Sequence, residues 1–253
     1  MTRKGQTRHL KRIAAPKYWP ILRKASKWSY HPMPGPHSKE NCLSLAVLLR
    51  DTLQLVNTKR EVKYILSNEK VLIDGKVRKA LNFPVGLMDV VDIPSIEKSY
   101  RIIPHVNKGL LPLEIDQSEK NFKLCKIINK SVLKGNILQL NLHDGRNILI
   151  DGSDTDEDEE PIEKLNFKTK DILKISIPDQ KILDHYTFEE NKIVIVQSGR
   201  FIGKIGKIIE INKRFGPNAS IITLEHEDQK FQTLLDYGFI IGRTEPEIKL
   251  PKI

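Results

Sequence analysis

The sequence predicts an α+β protein that is mostly β: a basic extended N-terminal arm, a small α/β module, a central β domain and a C-terminal β-barrel. Three observations carry this reading. Helical periodicity is confined to residues 45–66, short β-branched or alternating runs recur from residue 71 to residue 242, and a basic, proline-rich stretch precedes both.

The 253 residues are 39% apolar, enough for real cores in two domains or one large one. No run approaches the roughly 18 apolar residues of a membrane span and the N-terminus has no apolar leader, so a soluble protein retained in the cytoplasm is expected. Cys42 and Cys125 lie far apart, without Cys or His at metal-ligand spacing. Neither a disulfide framework nor a metal site is expected, and no cofactor. The net charge of +10 is unevenly placed. Residues 1–40 hold ten Lys or Arg against one acid, whereas the remaining 213 hold 32 bases and 31 acids. Charge so polarised points to a polyanion partner.

Within the arm, Pro16, Pro20, Pro32, Pro34 and Pro36 break any long helix and favour extended backbone. The stretch reads as having no core of its own, so removing residues 2–38 is expected to leave the rest folded. Its candidate nucleic-acid contacts are Arg3, Lys4, Arg8, His9, Lys11, Arg12, Lys17, Trp19, Arg23 and Lys24. The cations neutralise phosphates, while Trp19, Trp28, Tyr18 and Tyr30 offer rings that stack on bases or fill pockets. The plainer alternative is a solvated basic leader or transit peptide.

The next segment, CLSLAVLLRDTLQLV, brings Leu45, Leu48, Leu49, Leu53 and Val56 onto one helical face. Thr58 and Glu61 then form a capping-box pair opening a shorter helix, with Val62, Ile65 and Leu66 inward and Lys59, Arg60 and Lys63 outward. VLIDGKVR reads as a hairpin turning at Asp74-Gly75, and DVVDI as a further strand. Two short helices, an IDGKVR hairpin and a closing strand resemble the S-four-type RNA-binding module. That resemblance implies a basic RNA-facing surface made by Lys59, Arg60 and Lys63 with Lys76, Arg78 and Lys79; ordinary solvated lysines and arginines are the plain alternative.

From residue 95 to 170 the pattern is β-rich. KLCKIINKSV, ILQLNLH and RNILI are strands, the last two joined at Asp144-Gly145, and DILKISI alternates beyond them. Between them, residues 154–160 carry six acids. Glu159 stands where a calcium loop requires glycine and Leu165 where it requires its last Glu, so a self-repelling surface loop is expected, held away from RNA.

IVIVQSGRFIGKIGKIIEI lacks the spacing of a nucleotide phosphate loop and of a dinucleotide fingerprint. Gly203 suits a positive φ in a tight connection and Gly206 a close backbone approach, with Arg200, Lys204 and Lys207 projecting. The strand-loop-strand resembles the KOW motif of small SH3-like barrels, which SIITLEH and FQTLLDYGFIIG are expected to complete.

HLKRIAAPKYWPILRK, PGPHS, IDGKVR, FPVGLMDVVDI, FKLCKI and SGRFIGKIGKI are similar, in that order, to the S-four-e family of small-subunit ribosomal proteins of archaea and eukaryotes. Two residues between Gly86 and Asp89 match that family, and the short tail resembles its archaeal members. The resemblance implies a basic arm (1–41), an S-four-like RNA-binding module (42–94), a central β domain (95–170) and a KOW barrel with a short tail (171–253). It also implies a structural, non-enzymatic constituent of the small ribosomal subunit in the cytoplasm. Its partners would be small-subunit ribosomal RNA and neighbouring ribosomal proteins, with no membrane and no small-molecule substrate. A transcription elongation factor or an RNA-modification accessory protein is the alternative, although neither explains arm, module and barrel together. Converging catalytic groups are not visible, since the seven histidines are scattered.

Overall fold

The structure, a computed structural model, describes residues 9–106, 109–135, 137–150, 167–214, 219–226 and 229–251. Arg3, Lys4, Arg8 and the acidic run 154–160 lie outside these residues. The chain divides into two compact units: residues 1–103 with 107–115, and residues 104–106 with 116–253.

Among the described residues, the first unit opens with a two-stranded ribbon, β1 (Leu10–Lys11) against β2 (Trp28–Ser29). Pro16 and Pro20 allow no long helix between them, where a single 3-10 turn spans Arg12–Ala14, and side chains do the tying instead. The Arg23 guanidinium donates to the carbonyls of Arg12, Ile13, Ala15 and Pro16 at 2.9–3.3 Å. Arg12 donates to the carbonyls of Leu22 and Trp28 at 2.7 and 3.2 Å. Coiled up in this way, the segment buries Leu10, Ala15, Trp19 and Ile21 in one cluster with Leu43, Leu45, Leu48, Val62, Leu66 and Val71. The expectation of an arm with no core is therefore corrected: residues 9–41 supply part of the first unit's core.

After the ribbon, β3 (Cys42–Ser44) leads into a single helical turn, α1 (Leu45–Val47), which widens over Leu48–Thr52. The helix is shorter than its apolar spacing predicts. Leu53 N–H closes the widened turn on the Leu48 carbonyl at 2.8 Å, and Gln54, at φ 52°, turns the chain away. The sequence signal was burial, which a buried strand shares with a helix face. Next, α2 (Lys59–Ser67) opens on the expected capping box, Thr58 Oγ1 accepting from Glu61 N–H and Glu61 accepting from Thr58 N–H. It turns Val62 and Leu66 into the core.

Strands β4 (Leu72–Ile73) and β5 (Lys76–Val77) form the expected hairpin, with Asp74 at φ 50° and Gly75 at φ 71° supplying its two positive-φ positions. β6 (Pro84–Gly86) pairs with β3. β7 (Val90–Ile93), β8 (Lys98–His105) and β9 (Gly109–Ile115) complete a sheet of order β5-β4-β7-β8-β9. The first two strands after residue 95 thus extend the sheet begun by the Asp74-Gly75 hairpin.

Among the described residues, the second unit holds two antiparallel five-stranded sheets. One, of order β12-β11-β10-β13-β14, comprises β10 (Phe122–Val132), β11 (Leu138–Leu142), β12 (Asn147–Ile150), β13 (Ile172–Ser176) and β14 (Ile182–Tyr186). Long β10 pairs with β13 through Phe122–Lys126 and with β11 from Ile127 onward, bent by a register shift between Ile127 and Asn129. Cys125, Ile127, Leu140, Leu142, Leu173 and Ile175 fill its core.

The other sheet, of order β18-β17-β16-β15-β19, comprises β15 (Ile193–Val196), β16 (Ile205–Asn212), β17 (Ile221–His226), β18 (Gln229–Leu234) and β19 (Gly238–Gly242). Lys126 ties the two sheets together, its ammonium donating to the Asp236 and Gly238 carbonyls at 2.8 and 2.7 Å.

Candidate nucleic-acid interface

Of the basic side chains singled out in the sequence, Lys11, Lys17 and Lys24 are exposed on the folded N-terminal segment and His9 is exposed beside it. Arg12 and Arg23 spend donors on backbone carbonyls, so they hold the segment's shape before they can meet any phosphate. Trp19 is a correction. It is only 3% exposed, and its indole N–H donates at 2.9 Å to the Cys42 carbonyl, which also accepts the Tyr18 hydroxyl at 2.8 Å. One carbonyl with two lone pairs thus fixes two aromatic rings inside the unit. Burial raises the pKa values of both Tyr18 and Cys42, the latter to about 12, so neither ionises near neutral pH.

Lys59, Arg60 and Lys63 lie exposed on α2, whose Val62 and Leu66 are buried; of the three, Arg60 points most directly away from the buried pair, while Lys59 and Lys63 flank it. In the hairpin, Lys76 is exposed. Arg78 is half-buried with its guanidinium 4.6 Å from the centre of the Phe83 ring, and Lys79 pairs with Glu69 at 2.6 Å. Lys76 thus stands at the turn as a solvated cation, while its two neighbours are partly engaged within the protein.

On the second unit, the loop 197–204 behaves as its glycines predict. Gly203 adopts φ 78°, its N–H bonds the Val196 carbonyl at 2.7 Å, and a Cβ there would lie 2.6 Å from the Val106 nitrogen. A Cβ on Gly206 would press on the Glu225 carbonyl of the neighbouring strand at 3.0 Å. Around this loop Phe201 and Phe231 sit with ring centres 5.0 Å apart. Lys204 lies 5.3 and 5.6 Å from those rings, Arg200 is 5.7 Å from Phe201, and Lys207 is exposed on β16 opposite Glu225. The loop therefore carries a mixed aromatic and cationic patch.

Sequence reasoning passed over a groove in the first unit, about 640 Å³ in volume, bounded by the β1–β2 ribbon, Arg50, Lys59 and residues 80–82. Trp28 and Tyr30 line it. Both rings were noticed as aromatics among basic residues, but nothing in the local pattern separates half-exposed Trp28 from buried Trp19. A cluster of Cys125, His143 and Asp144 has ligand atoms within 4.8 Å of one another. Lys123 Nζ and Arg146 Nε, each 2.9 Å from Asp144 Oδ2, already supply its counter-charge, which suits an ion pair rather than a metal.

Two β-rich units, one displaying cations on a folded N-terminal segment and a helix and the other on a glycine-bent loop, have the surfaces of a protein that holds a polyanion. Comparison with known proteins places it more closely. Residues 96–182 match the model of ribosomal family S4e, and residues 4–40 match the RS4NT (NUC023) domain. The small ribosomal subunit protein eS4 of Staphylothermus marinus is 46% identical over 253 residues, covering 100% of this chain and 99% of the relative. That of Methanocaldococcus jannaschii is 45% identical over 251 residues, covering 99% and 100%. The crystal structure of 30S ribosomal protein S4e from Thermoplasma acidophilum superposes with a TM-score of 0.68 at 28% identity, covering 81% of this chain and 97% of that one. The chain belongs to the S4e family of ribosomal proteins, and the relatives named here are archaeal.

Proposed function

We propose that this protein is a structural constituent of the small ribosomal subunit, binding ribosomal RNA and supporting subunit assembly without catalysing a reaction. The observation that carries the proposal is the segregation of charge. Ten of the 42 Lys and Arg residues fall in the first 40 positions, and the described ones there lie mostly on the surface of a segment that is itself anchored in the core. Such a surface releases counterions from phosphates without having to fold at the moment of binding.

The helix α2 with its hairpin acts in this reading as the S-four-like RNA-binding face, and the sheet β15–β19 with its loop 197–204 as the KOW, SH3-like element. Shape and backbone contacts dominate, because A-form RNA hides its base edges in a deep groove. Neighbouring ribosomal proteins are the remaining partners, and the cytoplasmic ribosome is the site of action. The elongation-factor and modification-accessory readings find no support among relatives that are named as ribosomal proteins.

Reconstitution tests the proposal. The purified chain is added to small-subunit RNA and sedimented at several salt concentrations. Stoichiometric co-sedimentation that weakens steeply with salt is expected; binding to RNA polymerase and not to the subunit would overturn it.

A further inference from the structure

We infer that the groove between the β1–β2 ribbon and the start of α2 seats an unpaired RNA base, stacked on the indole of Trp28. The inference rests on the RNA-binding reading above and deepens it, naming the kind of nucleotide and the place where it sits.

The groove's volume of about 640 Å³ accommodates a base with its sugar and phosphate. Trp28 is 49% exposed, unlike Trp19 in the same segment, and it lies on a strand whose carbonyl is held by Arg12 Nε at 3.2 Å. A large aromatic surface thus stays open on a fixed backbone. His9 stands 5.4 Å from the indole, tilted by 49°, and Lys27 Nζ lies 5.1 Å from the ring centre, so cationic and aromatic character surround it.

On the far wall, Arg50 is locked by two hydrogen bonds to Asp51, at 3.1 and 2.7 Å, with its guanidinium 5.3 Å from the Tyr30 ring centre. Arg12 and Lys59 bring positive charge to the groove, the charge of Arg50 being offset by Asp51, and no carboxylate lines it among the described residues. An aromatic platform flanked by Arg12, Lys27 and Lys59 fits a base and its phosphates. An unpaired base is required, because in an A-form duplex both faces of each base are covered by the stack.

The test uses the full chain with two probes, a 12-nucleotide single-stranded oligoadenylate RNA and a 12-base-pair mixed-sequence RNA duplex. Affinity is measured at three salt concentrations for the natural chain, Trp28→Ala and Trp28→Phe. Single-strand binding is expected to quench the exposed tryptophan and to weaken about 5- to 150-fold in Trp28→Ala, the effect of losing one stacked base. Trp28→Phe should restore most of that loss, and duplex affinity and the salt slope should stay unchanged. If both RNAs bind and Trp28→Ala alters neither, the groove inference falls while the RNA reading stands. If neither RNA binds, both fall. Should Trp28→Ala fail to fold, photocrosslinking of a 4-thiouridine-bearing strand to the natural chain decides the matter. Adducts within residues 9–12 or 26–31 support the seat, and adducts confined to other segments overturn it.

Discussion

The Nε2 of His37 lies 3.0 Å from both carboxylate oxygens of Asp89, with both side chains buried. Asp89 also accepts the Gly86 N–H at 2.8 Å, and the His37 ring packs so tightly on Gly86 that a Cβ there would come within 2.3 Å of it. The end of the N-terminal segment is thereby latched to the strand pair β3–β6 and to the residue just before β7. Latch and core together make the segment part of the first unit.

Substitution at the latch should therefore destabilise the protein. Gly86→Ala forces the imidazole out of contact and should cost about 1–3 kcal/mol, as overpacking does. His37→Ala removes a hydrogen bond to a charged group and should cost about 1.5–3 kcal/mol. The double variant should cost less than the sum, because the ring that clashes in one is absent in the other. Urea denaturation of all three chains checks this, and strict additivity would show that ring and glycine do not act as one contact.

A second buried pair makes stability sensitive to acid. Burial alone would raise the Asp144 pKa, but the Lys123, His143 and Arg146 charges outweigh it and hold the carboxylate at about 2. This value lies below the ordinary 3.8, so the folded state binds its proton less readily than the unfolded chain. Stability from this group is complete above about pH 4 and is lost as pH falls through about 2, an effect on the order of 2 kcal/mol. Asp144→Asn weakens the pairing of fully buried Lys123 and should destabilise the protein by about 1.5–3 kcal/mol at neutral pH, the worth of a hydrogen bond to a charged group. Unfolding free energies from pH 2 to pH 7 should show the acid slope diminished in that variant.

Lys126 works in the opposite direction. Burial pulls its ammonium pKa down to about 8 from 10.5, despite the favourable charge of Asp236. Between those values the unfolded chain binds more protons than the folded one, so stability should rise as pH increases from about 8 to 10.5. Lys126→Met should abolish that rise. The variant should also lose about 1–3 kcal/mol, because the Gly238 carbonyl loses the ammonium and the Asp236 carbonyl keeps Gln197 Nε2 but not Lys126 as a donor. A slope that persists in the variant would place the titrating group elsewhere.

Local chemistry was legible in the sequence wherever a few adjacent residues decide it. The Thr58–Glu61 capping box, the Asp74-Gly75 turn and the positive φ of Gly203 need only their own neighbours. What was not legible depends on partners far along the chain. Leu10, Ala15, Trp19 and Ile21 have neither helical nor strand spacing, and they are organised by Arg23 reaching back to four carbonyls and by the Cys42 carbonyl gripping two rings. A proline-rich basic segment therefore reads as unfolded until its tertiary contacts are seen. The same blindness put Trp19 among the RNA contacts and left Trp28 out, since both stand among lysines and prolines and differ only in burial.

The folded N-terminal segment changes what its deletion means. Removing residues 2–38 takes away four buried apolar side chains together with His37, each fully buried large side chain being worth about 1.5–3 kcal/mol. The truncated chain should thus melt well below the natural one, and weaker RNA binding in it would not isolate the role of charge. Replacing exposed Lys11, Lys17 and Lys24 by Gln does isolate it. Thermal stability should stay within about 0.5 kcal/mol per site, while the logarithmic salt slope for small-subunit RNA should fall by roughly 0.7–0.9 for each phosphate that is no longer neutralised. An unchanged slope in the triple Gln variant would remove these lysines from the interface and shift the weight of binding to α2, its hairpin and the loop 197–204.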